Sequence, residues 1–168
     1  MAELNTEPRF IREPDIQGTT VIGPSANTNL DGTGSNITSI FQADATNGGF
    51  VQKIRIVPTV NFSYTTICFF INTTTGTFTP GTSNTSSNTF FIKEITILHP
   101  STSQTEAFTF KARIGNNYQY FPLIFAEGYC DIEMNLSLPP GYRILASFTD
   151  STGSAGQGVK LTTIGGKY

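Results

Sequence analysis

Tryptophan is absent from this chain of 168 residues, histidine occurs once, and cysteine and methionine occur twice each. Charge is also scarce: Asp, Glu, Lys and Arg make up 13% of the residues, about half the usual share. Ten basic residues against twelve acidic ones leave no positive excess to neutralise phosphates, which argues against a nucleic-acid partner. No apolar run approaches the roughly 20 residues of a membrane-spanning helix. The longest, Ile67-Cys68-Phe69-Phe70-Ile71, is strand-sized, so no membrane partner is expected. The first eighteen residues, MAELNTEPRFIREPDIQG, lack an apolar core, and no secretory signal is expected there. Two cysteines, Cys68 and Cys130, are too few for a disulfide scaffold; each lies in an apolar run and reads as a buried thiol.

Small neutral hydrogen-bonding residues take the place of charge. Thr occurs 26 times, Ser 13 and Asn 12, so 51 of 168 residues are of this kind. With 14 Phe, 6 Tyr and a net charge of −2, the chain is too apolar and too weakly charged to be disordered throughout. Its length suits one domain able to bury its own core. Five Asn-x-Ser/Thr sequons, at Asn36, Asn61, Asn72, Asn84 and Asn135, are the chance product of that composition.

Strand signals dominate. Ile outnumbers Leu 17 to 8, and no window carries the i, i+3, i+4, i+7 stripe of an amphipathic helix. Strand-like runs are expected at 19–23, 36–43, 50–57, 64–72, 90–98, 107–114, 118–125, 130–138, 142–149 and 159–164, separated by turn residues such as Asn47-Gly48-Gly49 and Pro139-Pro140-Gly141. Tyr64–Asn72 is apolar on both faces at its centre, the pattern of a strand covered on two sides. Cys130–Leu138 alternates strictly and should have one wet face. The expected fold is all-β, a jelly-roll-like antiparallel β-sandwich spanning 19–168. Residues 1–18, with Pro8, Pro14 and six charges, read as an extended N-terminal arm outside it. Thr73–Thr89 is nearly all Thr, Ser, Asn and Gly, and is expected to be a mobile loop too polar to pack.

The chemistry-bearing residues form no catalytic set. His99 stands alone, no G-x-S-x-G elbow accompanies it, and one His with two Cys cannot complete a zinc site. Asp131 and Glu133, with Glu127 nearby, are the best carboxylate group; on a strand face they read as a solvated surface. Asp31-Gly32-Thr33-Gly34 leads into a strand and lacks the spacing of a phosphate-binding loop. Neither enzyme activity nor a metal or other cofactor is expected.

Several motifs in order are similar to a family of small structural proteins of tailed bacteriophages. They are LDGTGSNITSIFQA (30–43), NGGFVQKIRI (47–56), CFFIN (68–72), FIKEITI (91–97), LSLPPGYRILAS (136–147) and the closing IGGKY (164–168). The resemblance implies a β-sandwich virion component, a capsid decoration (cement) protein binding the outside of a phage head, made in the host cytoplasm. A tail or fibre protein, receptor-binding through the 73–89 loop, is the alternative. The implied partners are the major capsid protein and sister subunits, in a homo-oligomer for which family analogy favours a trimer. In the arm, Phe10 and Ile11 form an isolated apolar pair flanked by Arg9 and Arg12. These four residues are the expected contact with the capsid or a sister subunit.

Overall fold

Runs of Ile, Val, Phe and Thr punctuated by glycine and proline become ten strands, with no helix, among the residues described in the computed structural model (13–22, 25–58, 64–98, 107–114, 117–124, 129–149 and 158–168). They are β1 (Glu13–Ile22), β2 (Thr38–Gln42), β3 (Gly49–Pro58), β4 (Tyr64–Asn72), β5 (Thr89–Leu98), β6 (Ala107–Ile114), β7 (Asn117–Ile124), β8 (Cys130–Leu138), β9 (Arg143–Phe148) and β10 (Val159–Lys167). One sheet has the order β1-β10-β3-β8, the other β2-β9-β4-β5-β6-β7, and all neighbours are antiparallel. Without the β6–β7 hairpin each sheet has four strands, and the chain crosses between sheets as an eight-stranded jelly roll does. The hairpin extends the second sheet past β5.

The core is the slab between the sheets. Ile54 and Ile56 from β3, Ile67 and Phe69 from β4, Ile144 and Phe148 from β9 and Leu161 from β10 are almost fully buried there. Alternation along each strand sends every second side chain inward, so the inward residues of one strand are two apart or, as at Ile144 and Phe148 with Ala146 between them, four apart. β8 has the expected wet face: Glu133, Asn135 and Ser137 are exposed, while Ile132 and Leu138 are buried.

The sheet begins earlier in the chain than the sequence suggests. Glu13–Gly18, assigned to the arm above, belong to β1, which pairs with β10 from Glu13↔Lys167 to Ile22↔Val159. Proline is tolerated at position 14 because β1 is the outermost strand of its sheet, where one N–H can be missing without breaking a ladder on both sides. Pro122 fits β7 for the same reason, at the far edge of the other sheet. Residues 1–12, with Arg9, Phe10, Ile11 and Arg12, lie outside the described residues, as do His99 and Glu127.

Candidate functional site

The 73–89 loop is packed, contrary to the expectation of a mobile segment. It folds over the outer face of β4 and β9 and closes a second apolar cluster of Ile37, Cys68, Phe70 and Leu145, against which its own Phe78 packs. Asparagine side chains hold it there. Asn84, 2% exposed, donates to the carbonyls of Gly32 and Gly34 (2.7 and 2.8 Å) and accepts from Gly81 N–H at 2.7 Å. Asn72, fully buried at the end of β4, donates to Ser83 O and Thr89 Oγ1 and accepts from Thr74 N–H. Buried amides need such partners, and these have them. Asn72 and Asn84 are thus inaccessible as glycan acceptors in the folded chain.

The Asp31-Gly32-Thr33-Gly34 turn is the other half of this clasp. Asp31 Oδ1 accepts from Thr33 N–H and Thr33 Oγ1 at 3.0 and 2.7 Å, which holds its carboxyl below the usual range. Gly32 has φ +75°, and a Cβ there would stand 2.4 Å from Thr89 Cγ2 and 2.9 Å from Phe70 Cδ1. Glycine is required both by conformation and by space. Behind the loop lies Arg143, 7% exposed, whose Nη1 donates to Gln42 Oε1 at 2.7 Å and whose Nη2 donates to the Gly76 carbonyl. The guanidinium also stands 5.9 Å from the centre of the Phe78 ring. Burial lowers its pKa, and its Nε has no hydrogen-bond partner. Sequence reading did not single out Arg143; a lone cation in the mostly apolar strand RILASF was the available signal.

Beside the clasp the second sheet has a stepped edge. β6 pairs with β5 only over Ile95–Leu98. Among the described residues, no strand pairs with Thr89–Glu94 on that side. Phe90 and Phe91 lie on this open stretch, 52% and 43% exposed. A bulge between the β4 pairs Phe69↔Lys93 and Phe70↔Phe91 breaks the alternation there. Phe91 rests edge-on against Phe70, with ring centres 5.8 Å apart. Lys93 reaches across the mouth of the sandwich and donates to the Glu133 carbonyl of β8 at 3.2 Å. β8 carries its own irregularity at this mouth: two residues, Met134 and Asn135, oppose Gln52, and Asn135 has φ +48°. Irregular strands and exposed aromatics therefore meet at one lip of the sandwich.

The carboxylate pair found in the sequence has a structural assignment. Asp131 accepts from Lys53 Nζ at 2.7 Å and from Arg55 Nε and Nη2 at 2.7 and 3.0 Å, both cations coming from the neighbouring β3. The Arg55 hydrogen bonds, followed by those of Lys53, hold its pKa down at about 2. Arg55 also lies 3.8 Å over the Tyr129 ring. Asp131 is thus a strut between strands that is ionised at neutral pH. Cys68 and Cys130 are both buried and are not joined to each other, Cys68 lying under the clasp and Cys130 in the slab. Burial, and then the charge of Asp131, raises the Cys130 thiol to about 11. Among the described residues, no group of three or more His, Cys, Asp or Glu could hold a metal ion.

No family model, curated protein or solved structure matches this chain.

Proposed function

We propose that the chain is a structural virion component, a decoration subunit on the outside of a phage head that acts by contact. The observation carrying this reading is the open stretch of β5. Soluble sandwiches ordinarily blunt or cover their strand edges, and one that keeps two phenylalanines in water at such an edge suits a protein whose task is to join others. Jelly rolls are common among viral capsid domains, and the ordered motifs of the sequence point the same way. Fold alone would not choose a function, so the argument rests on the edge. The partners in this reading are the major capsid protein and sister copies of the chain, which is made in the host cytoplasm. Family analogy favours a trimer.

A second reading, a tail or fibre subunit, is favoured by the clasp. It presents Thr77, Thr79, Thr82, Thr85, Ser86 and Ser87 on a loop fixed by buried amides, as a receptor-binding tip would. Counting copies in purified particles separates the two. Hundreds of copies per particle fit decoration, a handful fits a tail, and absence from particles overturns both.

A further inference from the structure

We infer that Asn47, in the turn that joins β2 to β3, is a deamidation site that the native fold keeps silent and that local opening releases. Asparagine is among the thermolabile residues. Asn47-Gly48 is the only Asn-Gly pair among the chain's 12 asparagines. Glycine matters because, without a side chain, its nitrogen is free to approach the preceding one. In the reaction Gly48 N gives its proton to solvent base and attacks the side-chain carbonyl carbon of Asn47. The bond from that carbon to Nδ2 breaks and ammonia leaves, closing a cyclic imide. Water then adds to one of the two imide carbonyls and reopens the ring, to aspartate or to isoaspartate. Water is the only co-reactant.

The fold restrains the attacking nitrogen. Asn47 is exposed, but Gly48 is buried and its N–H donates to Asp44 O at 3.1 Å, in the bridge between those two residues. Attack requires that hydrogen bond to break and the nitrogen to turn toward Asn47 Cγ. Asp44 Oδ1 holds the rest of the turn: it accepts from Thr46 N–H at 2.9 Å, Asn47 N–H at 2.8 Å and Asn47 Nδ2 at 3.3 Å. A second turn, Pro139-Pro140-Gly141, clamps this one. Gly141 N–H donates to the same Asp44 carbonyl at 3.0 Å, and Ala43 N–H donates to Tyr142 O at 2.8 Å. Gly48 has φ +84°, and a Cβ there would stand 2.6 Å from Leu138 O, so the main chain has no slack. The two turns must part before Asn47 reacts, which makes deamidation a record of their opening. The record is one-way. Isoaspartate routes the main chain through Cγ and lengthens it where there is no room. Either product also sets a second carboxylate where Nδ2 donated to Asp44.

The test is mass spectrometry of the peptide containing residue 47. The full-length chain is incubated at mildly alkaline pH, either folded or in concentrated guanidinium chloride, and sampled over time. Conversion of Asn47 in denaturant should be at least ten times faster than in the folded protein and faster than at any other asparagine, with release of ammonia and appearance of isoaspartate. Asp44→Ala, which removes the three side-chain bonds of the turn, should speed conversion of the folded protein at least threefold. Equal rates in the folded and denatured chain would overturn the inference. So would faster conversion at another asparagine in denaturant, or an Asp44→Ala rate no higher than that of the unaltered chain.

Discussion

On the inner side of β4, Ile67 and Phe69 belong to the apolar cluster that fills the slab between the two sheets. On the outer side of the same strand, Cys68 and Phe70 are covered by a loop rich in Thr, Ser and Asn. Both sets are buried to the same degree, yet one cover is made of apolar side chains and the other of hydrogen-bonded backbone pinned by amides. The inner slab gains from apolar area and close packing, which tolerate small adjustments. The outer cover gains only when every amide finds its partner, so it fails in an all-or-none way around a few positions. The comparison predicts that the slab sets global stability and that the clasp can open while the sandwich persists.

Phe69→Ala is the harshest test of the first half. It removes a fully buried ring from the slab and should destabilise the protein by about 3–5 kcal/mol in chemical denaturation. A loss below about 1 kcal/mol would mean that the slab is not the dominant core.

Asn84→Ala tests the second half. It strands the Gly32 and Gly34 carbonyls and the Gly81 N–H, and should cost about 2–3 kcal/mol, a few times the effect of an ordinary surface substitution. The effect should be local, with faster hydrogen exchange and proteolysis in 73–89 and 29–34 and little change in β3 and β10. Uniform loss of protection across both sheets would show that clasp and slab unfold as one unit.

The two cysteines report the same difference more finely. In the native protein both should label slowly with a thiol reagent, Cys130 all the more because its thiol titrates at about 11. Asn84→Ala should speed labelling of Cys68, which lies under the clasp, at least tenfold while leaving Cys130 unchanged. Parallel acceleration at both sites would contradict independent opening.

The slab was legible in the sequence and the clasp was not, for a physical reason. Alternation is local, so runs such as Tyr64–Asn72, Ala107–Ile114 and Cys130–Leu138 coincide with β4, β6 and β8 residue for residue. The double burial of β4 could also be read from its apolar centre, though not what covers its outer face. That cover depends on Asn84 meeting carbonyls fifty and more residues away, and composition cannot distinguish an asparagine that meets such partners from one that meets water. The same blindness misplaced the end of the arm: Pro14 argues against a central strand but not against an edge. Asp131 and Glu133 were rightly placed on one wet strand face, while the cations that make Asp131 a strut arrive from β3 by register. The lip at Phe90 and Phe91 was missed because apolar residues in a strand ordinarily face a core.

The smallest expected effect lies on the face opposite the clasp, where Asp131 joins β8 to β3. Its carboxyl has a folded pKa of about 2 against an ordinary value of 3.8. A depressed folded value means the unfolded chain takes up the proton first, so the contribution is fully present above about pH 4 and is lost as the pH falls toward 2. The side chains of Lys53, Arg55 and Asp131 are 27%, 35% and 21% exposed, so water screens the pair and about 1 kcal/mol is the appropriate scale. Asp131→Asn should therefore lower stability by about that amount at pH 7 and by almost nothing at pH 2. The Asn84→Ala loss should instead be the same at both values, because no titrating group takes part in the clasp bonds of Asn84. Measuring both variants at the two pH values separates the charged fastening of the first sheet from the neutral fastening of the second. A pH-independent loss in Asp131→Asn would show that the carboxylate contributes through shape and hydrogen bonding alone.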